Sequence, residues 1–181
     1  CTGVRKAVEA LGKCGIRPST TLFVDVADVV RGPDGSPMFS RFDRDDDMIV
    51  VAGSASIGRL AEDTPFARLP ARDVFESLVA HETVHAVMDH GRATPTRTRA
   101  ALEYSAFALQ IDALPEPARE AFLLRAGAID GGAGSVFSDA MLQLDPYGFA
   151  ARAYRHFKSE SGGCKSLQAI ASGRTAFIAG Q

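Results

Sequence analysis

Two stretches of unlike texture predict an α+β fold. Residues 20–53 hold short β-branched and aromatic runs broken by dense turn chemistry. From residue 70 onward, apolar residues recur at helical spacing almost without interruption. Strands first and helices later place a small N-terminal sheet against a mainly helical C-terminal part. At 181 residues the chain suits one domain with a substantial core, spanning 1–181, and is short for two.

The elements follow in order. TGVRKAVEALGK (2–13) sets Val4, Ala7, Val8 and Leu11 on one face of an amphipathic helix, ended by Gly12 and Gly15. TTLFVDVADVV (20–30) alternates Leu22, Val24 and Val26 with Phe23, Asp25 and Ala27, which predicts a strand. RGPDGSP (31–37) reverses the chain. MFSRF (38–42) and MIVVAG (48–53) are then two more strands around the acidic turn DRDDD (43–47). Asp43, Asp45 and Asp47 alternate as calcium ligands do. However, an EF-hand loop needs Gly sixth and Glu twelfth, where this chain has Met48 and Ser54. A solvated turn is the better reading.

The helical part opens with PARDVFESLVAHETVHAVMDHG (70–91), which has an Asp73-x-x-Glu76 capping box near its start and Gly91 past its end. TRTRAALEYSAFALQIDALP (96–115) is a second helix, stopped by Pro115, so this pair spans about 72–114. Further helices over about 116–173 are EPAREAFLLRAG (116–127), DPYGFAARAYRHFKSE (145–160) and KSLQAIASG (165–173). The second of these starts on an Asp N-cap followed by Pro at the first helical position.

Composition narrows the class. The 46% hydrophobic and 23% charged content is that of an ordinary globular chain. A net charge of -2, with Lys and Arg spread along the sequence, gives no reason to expect nucleic acid or an anionic membrane as partner. No apolar run approaches the ~20 residues of a membrane span. The cysteines are Cys1, Cys14 and Cys164. A helix over 2–13 separates the first two by about 19 Å of rise. A disulfide holds its Cα atoms within about 7 Å, so Cys164 is the better partner for either, with reduced thiols the equal alternative. The first residue is Cys rather than Met, so the chain is processed or trimmed; with a disulfide, this favours an exported protein, periplasmic or extracellular.

The functional signal lies in LVAHETVHAVMDH (78–90), which holds three of the four histidines. His81 and His85, four apart on a helix, project from one face about a turn apart and can bind one tetrahedral metal from the same side. Glu82, next to the first histidine, can reach a metal-bound water as general base without being a ligand. The alternative is a polar helix whose histidines are satisfied by hydrogen bonds in the fold. Zinc needs a third protein ligand. An H-E-x-x-H-x-x-G-x-x-H signature is absent, since Met88 and Gly91 stand where Gly and the third His belong. His90 sits at the helix end, where its charge suits the dipole. Asp89 lies on the stripe of His85 as a candidate second-shell acceptor. Glu103 is the strongest candidate ligand: it is stranded among Ala101, Leu102, Tyr104, Ala106, Phe107, Ala108, Leu109 and Ile111, so it needs a cation. Arg97, Arg99 and Arg152 are the alternative partners.

With His81, Glu82, His85 and Glu103 assembled, the chain resembles the gluzincin group of zinc metallopeptidases, which carry H-E-x-x-H on one helix and a glutamate ligand on the next. Seventeen residues separate His85 from Glu103, slightly short of the family's usual interval. EYSA around Glu103 is similar to the run around that ligand in small bacterial members. The resemblance covers roughly 70–112, with the strands before it matching loosely and the C-terminal third not at all. It implies a zincin-like fold and peptide-bond hydrolysis at one zinc ion, with His81, His85 and Glu103 as ligands and Glu82 as base. It also implies an oxyanion donor from a later segment, for which Tyr147, Tyr154 and His156 are the candidates. The substrate, a peptide or protein, would lie as an added strand along a sheet edge at 38–42 or 48–52. The rival reading is a catalytically silent zincin-like module that keeps metal for structure or for protein interaction.

Overall fold

The computed structural model describes residues 1–19, 21–90, 98–127, 137–159 and 163–174, and only the backbone at Asp89 and His90. These residues form an α+β arrangement with a small sheet and a mostly helical remainder. Helix α1 (Thr2–Lys13) buries Gly3, Ala7 and Leu11. It packs on α3 (Ala71–His90) so closely that a Cβ at Gly3 would collide with the Glu76 carbonyl, so only glycine fits this seam.

The stretch expected as one strand over 20–30 is two, β1 (Phe23–Ala27) and β2 (Val30–Arg31). Ser56 Oγ donates to the Asp28 carbonyl and takes it out of the ladder, which breaks the run. β2 pairs with β3 (Pro37–Met38) in an antiparallel ribbon around a turn whose Gly35 adopts φ 81°. The strand expected over 38–42 is divided between β3 and β4 (Ser40–Asp43), with Phe39 in neither; β4 and β5 (Met48–Ala52) flank the acidic turn as expected. The main sheet has the order β1-β5-β4, with β5 parallel to β1 and antiparallel to β4. β5 is therefore the central strand, fully buried at Ile49, Val51 and Ala52, and β4 is an edge. Of the two segments expected as the edge, 48–52 is interior. Val26, expected on one stripe with Leu22 and Val24, is instead 56% exposed, because β1 is the other edge and that face of it is uncovered.

Helix α2 (Ser54–Ala61) has no strong sequence signal. Gly58 sits in its middle, and it is held by burial of Ile57 rather than by propensity. Helix α3 begins two residues before Asp73, so that residue lies in the first turn and does not cap. Glu76 instead accepts from Arg72 Nε at 3.1 Å and faces Lys6 Nζ at 3.9 Å. Thr98 caps α4 (Arg99–Ala113) by accepting from the Ala101 N–H. After α5 (Glu116–Arg125) come the short α6 (Asp139–Leu144), capped by Ser138, and α7 (Pro146–Lys158). At the start of α7, Asp145 accepts from Gly148 N–H at 2.8 Å, the cap its sequence predicts. The last described helix is α8 (Cys164–Ala171).

Helix α3 lies between two cores. Ala80, Val84, Val87 and Met88 join α1, α4, α7 and α8 in one. Val74, Leu78 and Val79 join the sheet and α2 in the other, with Phe66 and Phe122. No helix among the described residues is long and apolar enough to cross a membrane. Cys14 and Cys164 form a disulfide across 150 residues of sequence, fixing the end of α1 to the start of α8. Gln168 Nε2 donates to the Cys14 carbonyl at 2.8 Å beside it. Replacing both cysteines by serine should lower unfolding stability by about 2–4 kcal/mol. Urea denaturation would read this as a lower midpoint, and an unchanged midpoint would show that packing alone holds the two ends.

Candidate metal centre

α3 turns Leu78, His81, Glu82 and His85 toward one cleft, a spacing of three and four residues that keeps them on a single helical face. α4 lines the same cleft with Arg99, Glu103, Phe107 and Gln110. Glu103 faces both histidines, and the Phe107 ring packs edge-on against His81 at 4.8 Å. Moving up α4 thus moves down α3, so the two helices run antiparallel through the site. Edge strand β4 and the residue before it form the opposite wall, with Phe39, Ser40, Arg41 and Phe42. Residues from α6 and the start of α7 close the cleft, whose volume is about 1080 Å³. Asp139 Oδ1 accepts from the Ala100 N–H at 2.6 Å, which fastens α6 to the first turn of α4.

Three ligand atoms converge in this cleft. His81 Nε2 and His85 Nε2 are 3.1 Å apart, and Glu103 Oε2 lies 3.5 Å from the first and 3.7 Å from the second. The Glu103 carboxylate therefore faces two imidazoles; Arg152 points a guanidinium nitrogen at Met141 Sδ instead. Arg97 lies outside the described residues. Burial raises the Glu103 carboxyl, but the two histidines outweigh it and hold the group well below the usual carboxylate range. Three electron-pair donors this close need a proton or a metal ion among them. Three points at these separations lie on a circle of radius about 2.0 Å, which matches zinc–nitrogen and zinc–oxygen bonds of about 2.0–2.2 Å. The group can hold one metal ion.

The surroundings of the triad are partly unusual. Glu82 is 6% exposed and Ser40 is 5% exposed, and Ser40 Oγ donates to Glu82 Oε1 at 2.7 Å across the cleft. His81 Nδ1 is buried with no hydrogen-bond partner among the described residues. An outer acceptor usually fixes such a ring; here the packing of Phe107 does so. The Asp89 and His90 side chains lie outside the described residues.

The sequence candidates for an oxyanion donor divide. Tyr147 lines the cleft, with its hydroxyl raised by burial and hydrogen-bonded to Thr64. Tyr154 does not line it and stacks under Arg119, 5.7 Å from the ring centre. His156 does not line it either: its Nδ1 is hydrogen-bonded to Tyr104 Oη at 2.7 Å, with Phe137 packed on both rings. Helix periodicity explains this. Tyr147 is in the first turn of α7, whereas Tyr154 and His156 are about two turns further along it. Ser40 and Gln110 line the cleft without having been singled out in the sequence. Gln110 was legible in principle, since it lies seven residues after Glu103 and shares its helical face.

A family profile described as a family of unknown function (DUF6639) matches residues 1–180, and the chain belongs to that family. No curated protein and no solved structure matches the chain.

Elemental analysis checks the centre directly. Wild-type protein loaded with zinc should hold about one ion per chain, and Glu103→Ala should lose it. Undiminished zinc in that variant would remove Glu103 from the ligand set. A second expectation concerns His156, which burial lowers below the ordinary histidine value of about 6.5. A group lowered in the folded state contributes stability that is present above its unfolded pKa and lost as pH falls. Unfolding stability should therefore fall more steeply between about pH 7 and 5 in wild type than in His156→Gln. Urea titrations at several pH values would show equal slopes if the expectation fails.

Proposed function

We propose that this member of the family is a zinc-dependent peptide hydrolase of zincin-like fold, in which His81, His85 and Glu103 hold one zinc ion and Glu82 is the general base. The observation that supports it best is the meeting of His81 Nε2, His85 Nε2 and Glu103 Oε2 in a cleft that also contains Glu82. Zinc, when bound, supplies a Lewis acid and makes a water acidic enough to lose its proton near neutral pH. Glu82 takes that proton. Its neighbour in sequence is a ligand, so the helix itself sets the base beside the metal. Ser40 engages Oε1, which leaves Oε2 for the proton and keeps the carboxylate from rotating away. Burial excludes bulk water from the pair.

A peptide is the substrate class that suits the cleft wall. β4 is an edge strand with β5 on one side and the cleft on the other, so an extended chain can lie along that edge and cross the triad. The Cys14–Cys164 disulfide supports export to the periplasm or the cell exterior, since such bonds persist in oxidising compartments.

Glu82→Gln separates this reading from a catalytically silent metal-binding module. The variant should keep its zinc and lose about 10²–10⁴-fold in peptide hydrolysis. Unaltered hydrolysis would remove Glu82 as base, and a zinc-loaded wild type that cleaves nothing in a broad peptide mixture would favour the silent module. Ser40→Ala should lower kcat about tenfold with little change in KM. Ser40→Thr should restore most of it, because the hydroxyl rather than the volume is what Glu82 requires. A loss confined to KM would instead make Ser40 a substrate contact.

A further inference from the structure

The cleft continues past the triad into an end of different chemistry. Glu103 faces His81 and His85 and Phe107 packs on His81, so the next inward residue of α4, Gln110, lies toward Leu78 of α3. The cleft lining also includes Leu60, Leu78 and the aromatic group Phe39, Phe66 and Tyr147. The Phe66 ring joins its neighbours, 5.9 Å from Phe39 and 6.1 Å from Tyr147, both edge to face. Gln110, in the same lining, is only 1% exposed. Gln110 is on the helical face of α4 that lines the cleft, and its amide is not among the enclosed side-chain groups that lack a hydrogen bond.

An amide that lines a cleft can offer its donor or acceptor to a guest, and a guest with no polar tip would cover it and leave it unpaired. Apolar walls with one placed polar group are the usual form of a selective pocket. We propose that this end of the cleft is a subsite for a substrate side chain with an aromatic body and a neutral hydrogen-bonding tip, tyrosine being the fit, and that Gln110 selects it. The proposal rests on the peptide hydrolase reading above. The rings of Phe39, Phe66 and Tyr147 suit an aromatic guest in edge-to-face contact. The guest hydroxyl can donate to the amide oxygen or accept from the amide nitrogen. Phenylalanine would fill the walls and leave the amide unpaired. A charged tip would be buried with no counter-ion, since no ionisable side chain belongs to this set of walls apart from the Tyr147 phenol.

The test uses zinc-loaded full-length protein and blocked pentapeptides Ala-Ala-Xaa-Ala-Ala with tyrosine or phenylalanine at the centre. Binding is measured by calorimetry to Glu82→Gln, in which turnover is blocked, and cleavage is measured on wild type. The tyrosine peptide should bind about tenfold tighter than the phenylalanine peptide. Adding Gln110→Met should abolish that preference while zinc content and Tm stay unchanged, and Gln110→Leu serves where methionine disturbs folding. Equal binding of the two peptides to Glu82→Gln needs no change at position 110 and would overturn the proposal. So would a preference that survives loss of the amide. If wild type cleaves both peptides at equal rates, the subsite falls and the hydrolase reading stands. If the tyrosine preference holds in binding while wild type cleaves neither peptide, the hydrolase reading falls and the subsite stands.

Discussion

The contact on which the rest depends is that between the Glu103 carboxylate and the imidazoles of His81 and His85. A carboxylate enclosed by an apolar helix is unfavourable on its own, and two imidazole nitrogens 3.1 Å apart must share a proton or a cation between them. Together they form a cavity for positive charge. The depression of the Glu103 carboxyl, against the effect of its burial, expresses that need. The helix pairing follows from it. α3 and α4 run antiparallel with their polar atoms facing, while the remaining faces of both are packed into the surrounding cores.

Around this contact the cleft is assembled from α3, α4, β4, α6 and the start of α7. α3 supplies two of the triad and Glu82, α4 supplies the third, and β4 reaches over with Ser40. The sheet therefore does more than shield a core. Its edge sets the orientation of Glu82. Because β5 is buried and central, β4 is held on one side by the sheet and borders the cleft on the other. The cleft also has unlike ends. Arg99 and Asp139 lie near the start of α4, and Gln110 lies near its far end. Any extended guest would meet opposite chemistry on the two sides of the triad.

Much of this was legible before any coordinates. His81, Glu82, His85 and Glu103 stood out because charged residues at helical spacing in apolar surroundings have few bland explanations, and the structure brings all four into one cleft. The long helices were visible through periodicity and caps, as at Asp145. What escaped notice has physical reasons. α2 and α6 are short and owe their form to burial and to a single cap, so no window of sequence carried enough signal. Asp73 looked like a cap because its spacing to Glu76 was right, but Pro70 allowed the helix to start earlier. Ser40 and Gln110 are single polar residues in apolar segments, and a search for charge passes over neutral groups. Tyr154 and His156 were candidates by residue type alone; only the turn of α7 on which each falls decides what it touches.

The bond between Cys14 and Cys164 has one further consequence, for the topology of the covalent chain. The cleft-forming segments from Pro37 to Tyr147 all lie inside the loop that it closes. A single backbone cut anywhere between those cysteines would leave one covalent molecule, with the halves of the cleft still tethered. Nicked and intact chains would then migrate with the same mass until a thiol was added. Damage to the cleft could accumulate in an oxidising compartment without any fragment being shed.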